Sequence, residues 1–346
     1  MAPPAHNGAV AFVDTPLTLS TAVTSWQWDV PTLVVVGAIG AAYWRANVVA
    51  ARRGGGVGPG RRSCFLLLGC ALWLLTAVSF IGVYADTLFW VRALQVVLLF
   101  FMVPFGLALG KPVTVLRDAL GDSGRARLDA VLAGRAARIL TYPATTSIAV
   151  LVTPWLLYLT PWYPAVLTNE WVDQLTRLAL VAIGFAYFYS RIQVDPVPHR
   201  YPQLISMGIT IAEVLGDGIL GIVIWLGPEI AVEYYSQFTR TWGPSPRTDQ
   251  SIGAGILWLL GDVIGIPFLL VLMRAFTVDE RANAAAIDAE LDELELAEGM
   301  EGMEGTEGAA SGAQHATDTP AQAPTSKLWW ENDPQIQERF RRESGR

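Results

Sequence analysis

Histidine, cysteine and lysine are scarce in this chain of 346 residues. Its three histidines, His6, His199 and His315, all fall outside the long apolar stretches, so those stretches offer no zinc or haem site of the usual ligands. The only lysines are Lys111 and Lys327, and neither lies inside an apolar stretch where it could carry a retinal Schiff base. P-loop and GxSxG motifs are absent too, and no nucleophile is paired with a base, so we do not expect an enzyme.

Charge is also sparse, at 16% of residues against roughly 25% in ordinary soluble domains. Hydrophobic residues make up 52%, and they occur in blocks that reach the roughly 20 residues needed to cross a bilayer. The net charge of −7 owes much to a single acidic stretch, residues 288–307. We therefore predict a multi-pass membrane protein whose surroundings are the lipid bilayer and which has no nucleic acid partner.

The apolar blocks predict an all-α bundle of seven transmembrane helices. Their approximate bounds are 31–50, 63–84, 88–110, 143–160, 174–192, 204–226 and 251–273. Arginine is concentrated in the loops 51–62, 111–142 and 191–203, which the positive-inside rule assigns to the cytoplasm. The N-terminus is then outside and the C-terminus cytoplasmic.

Three regions follow from this pattern. Residues 1–30 form an outer N-terminal segment, residues 31–276 form the seven-helix transmembrane domain, and residues 277–346 form an acidic, largely disordered cytoplasmic tail, because their composition is too polar to build a core. Within 111–142, short amphipathic helices are expected to lie on a membrane face.

An intramembrane polar site is predicted from Glu213, Asp217 and Asp262. Glu213 and Asp217 are four residues apart on one helix face, and a rise of about 1.5 Å per residue puts Asp217 and Asp262 at similar depths. Carboxylates in a bilayer are costly and are a default functional hypothesis. They could form a proton, cation or metal site, or a protonated cluster that locks two helices by hydrogen bonds.

A second polar group, the outer-face charge cluster, comprises Arg92, Asp173 and Arg177. All three residues lie near the predicted outer boundary, at the start of the third and fifth spans. Two interpretations are open: an Arg–Asp–Arg ion-pair network, or a contact for an anion or a partner protein.

Several short motifs resemble a known family. They are Val194–Arg200 (VDPVPHR), Asp249-Gln250, Leu257–Asp262 (LWLLGD) and Asp279–Arg281 (DER), with looser agreement at Thr153-Pro154 and Pro161–Tyr163. Their order and placement resemble the CtaG-type cytochrome c oxidase assembly proteins over about residues 30–285. The resemblance implies seven spans in the bacterial plasma membrane and copper delivery to, or maturation of, a haem-copper oxidase at the outer face.

The chain departs from that family at the expected metal ligands. The family's membrane histidines correspond here to Arg92 and Val96 in the third span, to Asp173, Arg177 and Ala179 in the fifth, and to Asp217 in the sixth, while the acid of the seventh remains as Asp262. Copper as a cofactor is thus implied by the family, but the ligand histidines are absent, and no metal ligand can be named.

Two functions remain open from the sequence. The first is a membrane assembly or accessory factor whose partners are haem-copper oxidase subunits or another copper chaperone. The second is a proton-coupled transporter or ion-conducting protein that uses Glu213, Asp217 and Asp262.

Overall fold

The computed structural model describes residues 13–192, 215–216, 218–238 and 240–260, together with isolated positions between 263 and 291. Every regular element within these ranges is a helix. The chain divides into two units, residues 1–280 and 281–346, and everything below concerns the first. The helices are α1 (Leu19–Thr24), α2 (Val30–Arg52), α3 (Pro59–Val78), α4 (Phe80–Tyr84), α5 (Phe89–Ala119), α6 (Asp122–Leu132), α7 (Arg135–Leu140), α8 (Pro143–Leu159), α9 (Trp162–Thr168), α10 (Glu170–Ile192), α11 (Val232–Tyr235) and α12 (Pro246–Gly255).

The protein is a membrane protein, and its described residues are all-helical. Four helices among these residues, α2, α3, α5 and α10, are long and apolar enough to cross a membrane. The pair α8 and α9 makes a fifth if it is counted as one span with a 69° bend. Residues 218–226 are helical, and α12 continues into a π-helical turn at Ile256–Leu260. The number of seven spans and their orientation remain predictions.

Helix α5 is the central element, because two neighbouring helices approach it closely at glycines. A Cβ atom on Gly69 of α3 would lie 2.5 Å from Leu107 Cδ2, and one on Gly106 would lie 2.6 Å from Leu68 Cβ. On the other side, a Cβ atom on Gly184 of α10 would lie 2.1 Å from the Phe100 carbonyl oxygen. Small residues therefore let α3 and α10 pack directly against α5, as is common between membrane helices.

The fourth span differs from its predicted bounds of 143–160, because the bent pair α8 and α9 extends to Thr168. Helix α8 runs through Pro154 without a break. The chain bends later, between Leu159 and Trp162, where Pro161 and the Thr160 hydroxyl, which accepts from Trp162 N at 3.2 Å, start α9. Proline is tolerated inside a membrane helix when neighbouring groups replace the lost hydrogen bond.

The second span also differs from its predicted bounds of 63–84. Helix α3 begins earlier, at Pro59, and ends at Val78. Ser79 has an extended backbone and accepts a hydrogen bond from Ile81 N, so it caps the separate helix α4. Lys111 has a left-handed backbone, and beyond it the last segment of α5 (Pro112–Ala119), α6 and α7 form three short helical segments, as expected for the basic region.

Candidate functional site

Arg92 lies at the centre of the polar site at the end of the bundle where α2, α5 and α10 begin. Its side chain is only 3% exposed, although it carries a full charge. Nη1 donates to Asp173 Oδ1 at 2.7 Å and to Gln95 Oε1 at 2.9 Å, and Nη2 donates to Asp86. A buried arginine is stable only when it is paired in this way.

Asp173 lies between two arginines. Its Oδ1 accepts from Arg92, and its Oδ2 accepts from Arg177 Nε at 2.8 Å and from Arg177 Nη2. Arg177 Nη1 then donates to Asp29 Oδ2 at 2.8 Å. The three residues of the predicted outer-face charge cluster are thus brought into direct contact, on α5 and α10.

Two further carboxylates pair with these arginines and were not predicted from the sequence. Asp86 and Asp29 extend the series to five alternating charges, which we call the charge network: Asp86, Arg92, Asp173, Arg177 and Asp29. Asp29 is the N-cap of α2, two residues before Pro31 in the first turn, and its Oδ1 accepts from Thr32 N at 3.0 Å. That N-cap pattern was a usable signal, whereas nothing in the sequence indicated that Asp29 faces Arg177.

The charge network ties four helices together. Asp29 begins α2, Arg92 lies on α5, and Asp173 and Arg177 lie on α10. Gln95 adds α3, because its Nε2 donates to the Thr76 carbonyl at 2.7 Å. The network holds three carboxylates against two guanidinium groups, and three helix N-termini lie at this end. The partial positive charge of those N-termini favours the extra carboxylate.

This balance favours the ion-pair interpretation of the cluster over a site for an anion. An added anion would meet a site with more carboxylates than arginines, so the network is poorly suited to bind one. The network is also poorly suited to bind copper, because Cu(I) selects thiolate, thioether and imidazole ligands. A guanidinium has no lone pair to offer a metal, and both carboxylate oxygens of Asp173 are already hydrogen-bonded. Within the described ranges, no three His, Cys, Asp or Glu side chains are grouped to hold a metal.

The predicted intramembrane polar site cannot be placed. Glu213, Asp217 and Asp262 all lie outside the described residues.

A cavity of about 430 Å³ opens at the same end of the bundle as the charge network. Its walls include Tyr235, Arg240, Trp242 and Asp249. The Tyr235 hydroxyl hydrogen-bonds with the Tyr163 hydroxyl at 2.9 Å, so this wall is anchored to α9.

Asp249 and Gln250 fix the loop around this cavity. Asp249 Oδ2 accepts from Phe89 N at 3.2 Å and Oδ1 accepts from Trp90 N at 2.9 Å, so it caps α5 from 160 residues away in sequence. Arg240 Nη1 also donates to Asp249 at 3.2 Å. Gln250 accepts from Ile230 N at 2.8 Å and donates to the carbonyls of residues 224 and 228.

Burial governs the ionisation of these loop residues. It raises the pKa of the Asp249 carboxyl above its usual value, although the Trp90 and Phe89 amides and Arg240 oppose the shift. Burial also raises the pKa of Tyr234 and of Tyr235, so both phenols stay neutral. The loop therefore presents neutral hydroxyl donors beside one paired arginine.

Comparison with known proteins agrees with this architecture. The family model described as cytochrome c oxidase caa3 assembly factor (Caa3_CtaG) matches residues 41–278, which include all of α5, α8, α9 and α10. The chain belongs to the Caa3_CtaG family. Among the Caa3_CtaG motifs, Asp249-Gln250 has a clear structural role in the described residues, since Asp249 caps α5 and Gln250 holds the loop. Val194–Arg200 lies outside the described residues.

Three mycobacterial proteins also resemble this Caa3_CtaG chain. Uncharacterized protein Mb0105 of Mycobacterium bovis and uncharacterized protein MT0111 of Mycobacterium tuberculosis are each 25% identical over 285 residues, which is 80% of this chain and 43% of theirs. Uncharacterized protein ML1998 of Mycobacterium leprae is 26% identical over 280 residues, 78% of this chain and 42% of its own. The chain thus spans less than half the length of these relatives. No solved structure matches it significantly.

Proposed function

We propose that this chain is a non-enzymatic membrane factor that supports the maturation of a haem-copper oxidase in a bacterial plasma membrane. The observation that carries the proposal is the family match over residues 41–278, because it includes α5 and α10, the helices that hold Arg92, Asp173 and Arg177. The proposed partners are subunits of the oxidase or another copper chaperone.

The proposal further states that the charge network is not a copper site in this chain. The network supports this part because its buried groups are guanidinium and carboxylate groups already bonded to one another. In this view the scaffold of the family is kept, while ion pairs hold together the helix ends where the family resemblance implies metal ligands.

A deletion strain tests the assembly role. We expect its membranes to lose oxidase activity and the haem absorption of the mature oxidase, and the full-length gene to restore both. The subunit mRNA level serves as the control, because an assembly defect leaves transcription unchanged. Normal oxidase activity and copper content in the deletion strain would refute the role.

The transport alternative remains a sequence prediction, since Glu213, Asp217 and Asp262 are outside the described residues. It predicts pH-dependent ion flux in liposomes that disappears in Asp217→Asn. If purified protein gives no flux above empty liposomes, this alternative fails.

A further inference from the structure

A second cavity, of about 400 Å³, lies at the opposite end of α2, where that helix ends and α3 begins. We call it the arginine cavity. Its walls include Trp44, Asn47, Arg52, Val57 and Arg62. Because α2 and α3 are both membrane-crossing candidates, the cavity lies at the level where a bilayer meets water. The distribution of arginine in the sequence predicts that this is the cytoplasmic side.

The two arginines of this cavity have no carboxylate partner among the described residues. Arg52 is exposed at the last turn of α2, and Arg62 is half-buried with its guanidinium 5.2 Å from the centre of the Trp44 ring. Asp118 packs on the same loop, but it accepts from Gly56 N at 2.9 Å and does not line the cavity. The arginine cavity therefore carries an uncompensated positive charge.

Asn47 adds a buried donor that lacks a partner. The residue is 5% exposed, and its Oδ1 accepts from Val57 N at 3.3 Å. Because the Val57 N–H is a donor, the oxygen of the Asn47 side-chain amide must face it. The amide orientation is therefore fixed, and Nδ2 points away from Val57 N. That Nδ2 is buried without a hydrogen-bond partner. An unsatisfied buried donor is costly. Because Asn47 forms part of the cavity wall, a small shift of its amide would bring Nδ2 to an oxygen atom of a ligand in the cavity.

The rim of the cavity is apolar. Trp44 is 50% exposed and Val48 is 37% exposed, one turn apart on α2. A ligand that satisfies all these groups has negatively charged oxygens at one end and a hydrocarbon part beside them. Tryptophan at a membrane interface and arginine near anionic headgroups are both favourable.

We propose that the arginine cavity binds the phosphate headgroup of an anionic phospholipid, with Arg52, Arg62 and Asn47 Nδ2 as donors. A free phosphate offers the same oxygens but would leave Trp44 and Val48 uncovered, so the lipid is the favoured source. This inference does not depend on the oxidase role.

Native mass spectrometry of the full-length protein in detergent tests the proposal, with phosphatidylglycerol titrated against phosphatidylcholine. We expect wild type to retain phosphatidylglycerol preferentially and the double variant Arg52→Gln/Arg62→Gln to bind it roughly 25-fold more weakly, since each arginine near the surface contributes about fivefold. Asn47→Asp keeps the acceptor for Val57 N but replaces the donor with a carboxylate, so it should also weaken binding while the protein remains folded. Arg127→Gln, which removes an exposed arginine of α6, is the matched control and should bind like wild type.

Two outcomes would overturn the proposal. Equal phosphatidylglycerol retention by wild type and the double variant would remove the arginines from the site. If inorganic phosphate stabilises wild type against heat as strongly as phosphatidylglycerol vesicles do, the ligand is a free phosphate and the lipid assignment is wrong. Neither readout involves oxidase activity, so failure here is separable from failure of the proposed function.

Discussion

Where α2, α5 and α10 begin, five charged side chains pair with one another. At the other end of α2, Arg52 and Arg62 line a cavity and have no acidic partner among the described residues. The contrast follows from burial. A guanidinium that is 3% exposed, as in Arg92, has lost its water and must find carboxylates. An exposed guanidinium keeps its water and remains free for a ligand. Arginine thus acts as a structural residue at one end and as a candidate binding residue at the other.

The largest effect is expected from Asp173→Ala. This change leaves two arginines short of a partner in a buried site, and breaking such a pair costs about 3–5 kcal/mol of folding stability. Thermal unfolding in detergent, followed by circular dichroism, measures it. The matched control is Asp129→Ala, which breaks the half-exposed Arg117–Asp129 pair of 3.0 Å and should cost less than about 1 kcal/mol. Similar losses in the two variants would show that the charge network is not structural.

A smaller loss is expected from Asp249→Ala. The variant removes the cap from the Phe89 and Trp90 amides and leaves Arg240 without its carboxylate, which together should cost about 2 kcal/mol, since an N-cap alone contributes about 1 kcal/mol. Hydrogen exchange of the first turn of α5 localises the effect. Unchanged protection there, in a folded variant, would show that Asp249 does not hold α5.

The smallest effect on stability is expected from Arg52→Gln/Arg62→Gln. Arg52 is exposed, and such surface substitutions usually change stability by less than about 0.5 kcal/mol. Loss of the contact between Arg62 and the Trp44 ring costs about 0.5–1 kcal/mol, so the double variant should unfold close to the wild-type temperature in lipid-free detergent. Added phosphatidylglycerol should then stabilise wild type more than the variant. A large loss without lipid would mean that these arginines, like Arg92, are structural.

The described helices were largely predictable from sequence, because long apolar blocks bounded by glycine, proline and arginine have few other solutions. The positions at which these helices break or continue were not predictable from sequence. Whether α8 continues through Pro154 depends on what packs around the proline, and the break at Ser79 depends on a serine side chain that caps the next helix.

The candidate site was partly predictable for a similar reason. Arg92, Asp173 and Arg177 were identified by the rarity of charge near a span, which is a property of single positions. Asp29 and Asp86 were not identified, because each looked like an ordinary cap or turn residue. Their role depends on contacts across 148 and 6 residues, and in the first case only the approach of the N-terminal ends of α2 and α10 brings the two groups together.

Copper content is the most direct test of the central claim, that buried ion pairs stand at these helix ends and no metal is held there. The full-length protein and the variants Asp173→Asn and His6→Ala would be loaded with Cu(I), washed with a chelator and analysed by mass spectrometry of the metal. The account predicts that Asp173→Asn leaves the copper content unchanged and that no variant retains copper stoichiometrically. One copper per chain that survives His6→Ala and is lost in Asp173→Asn would contradict it.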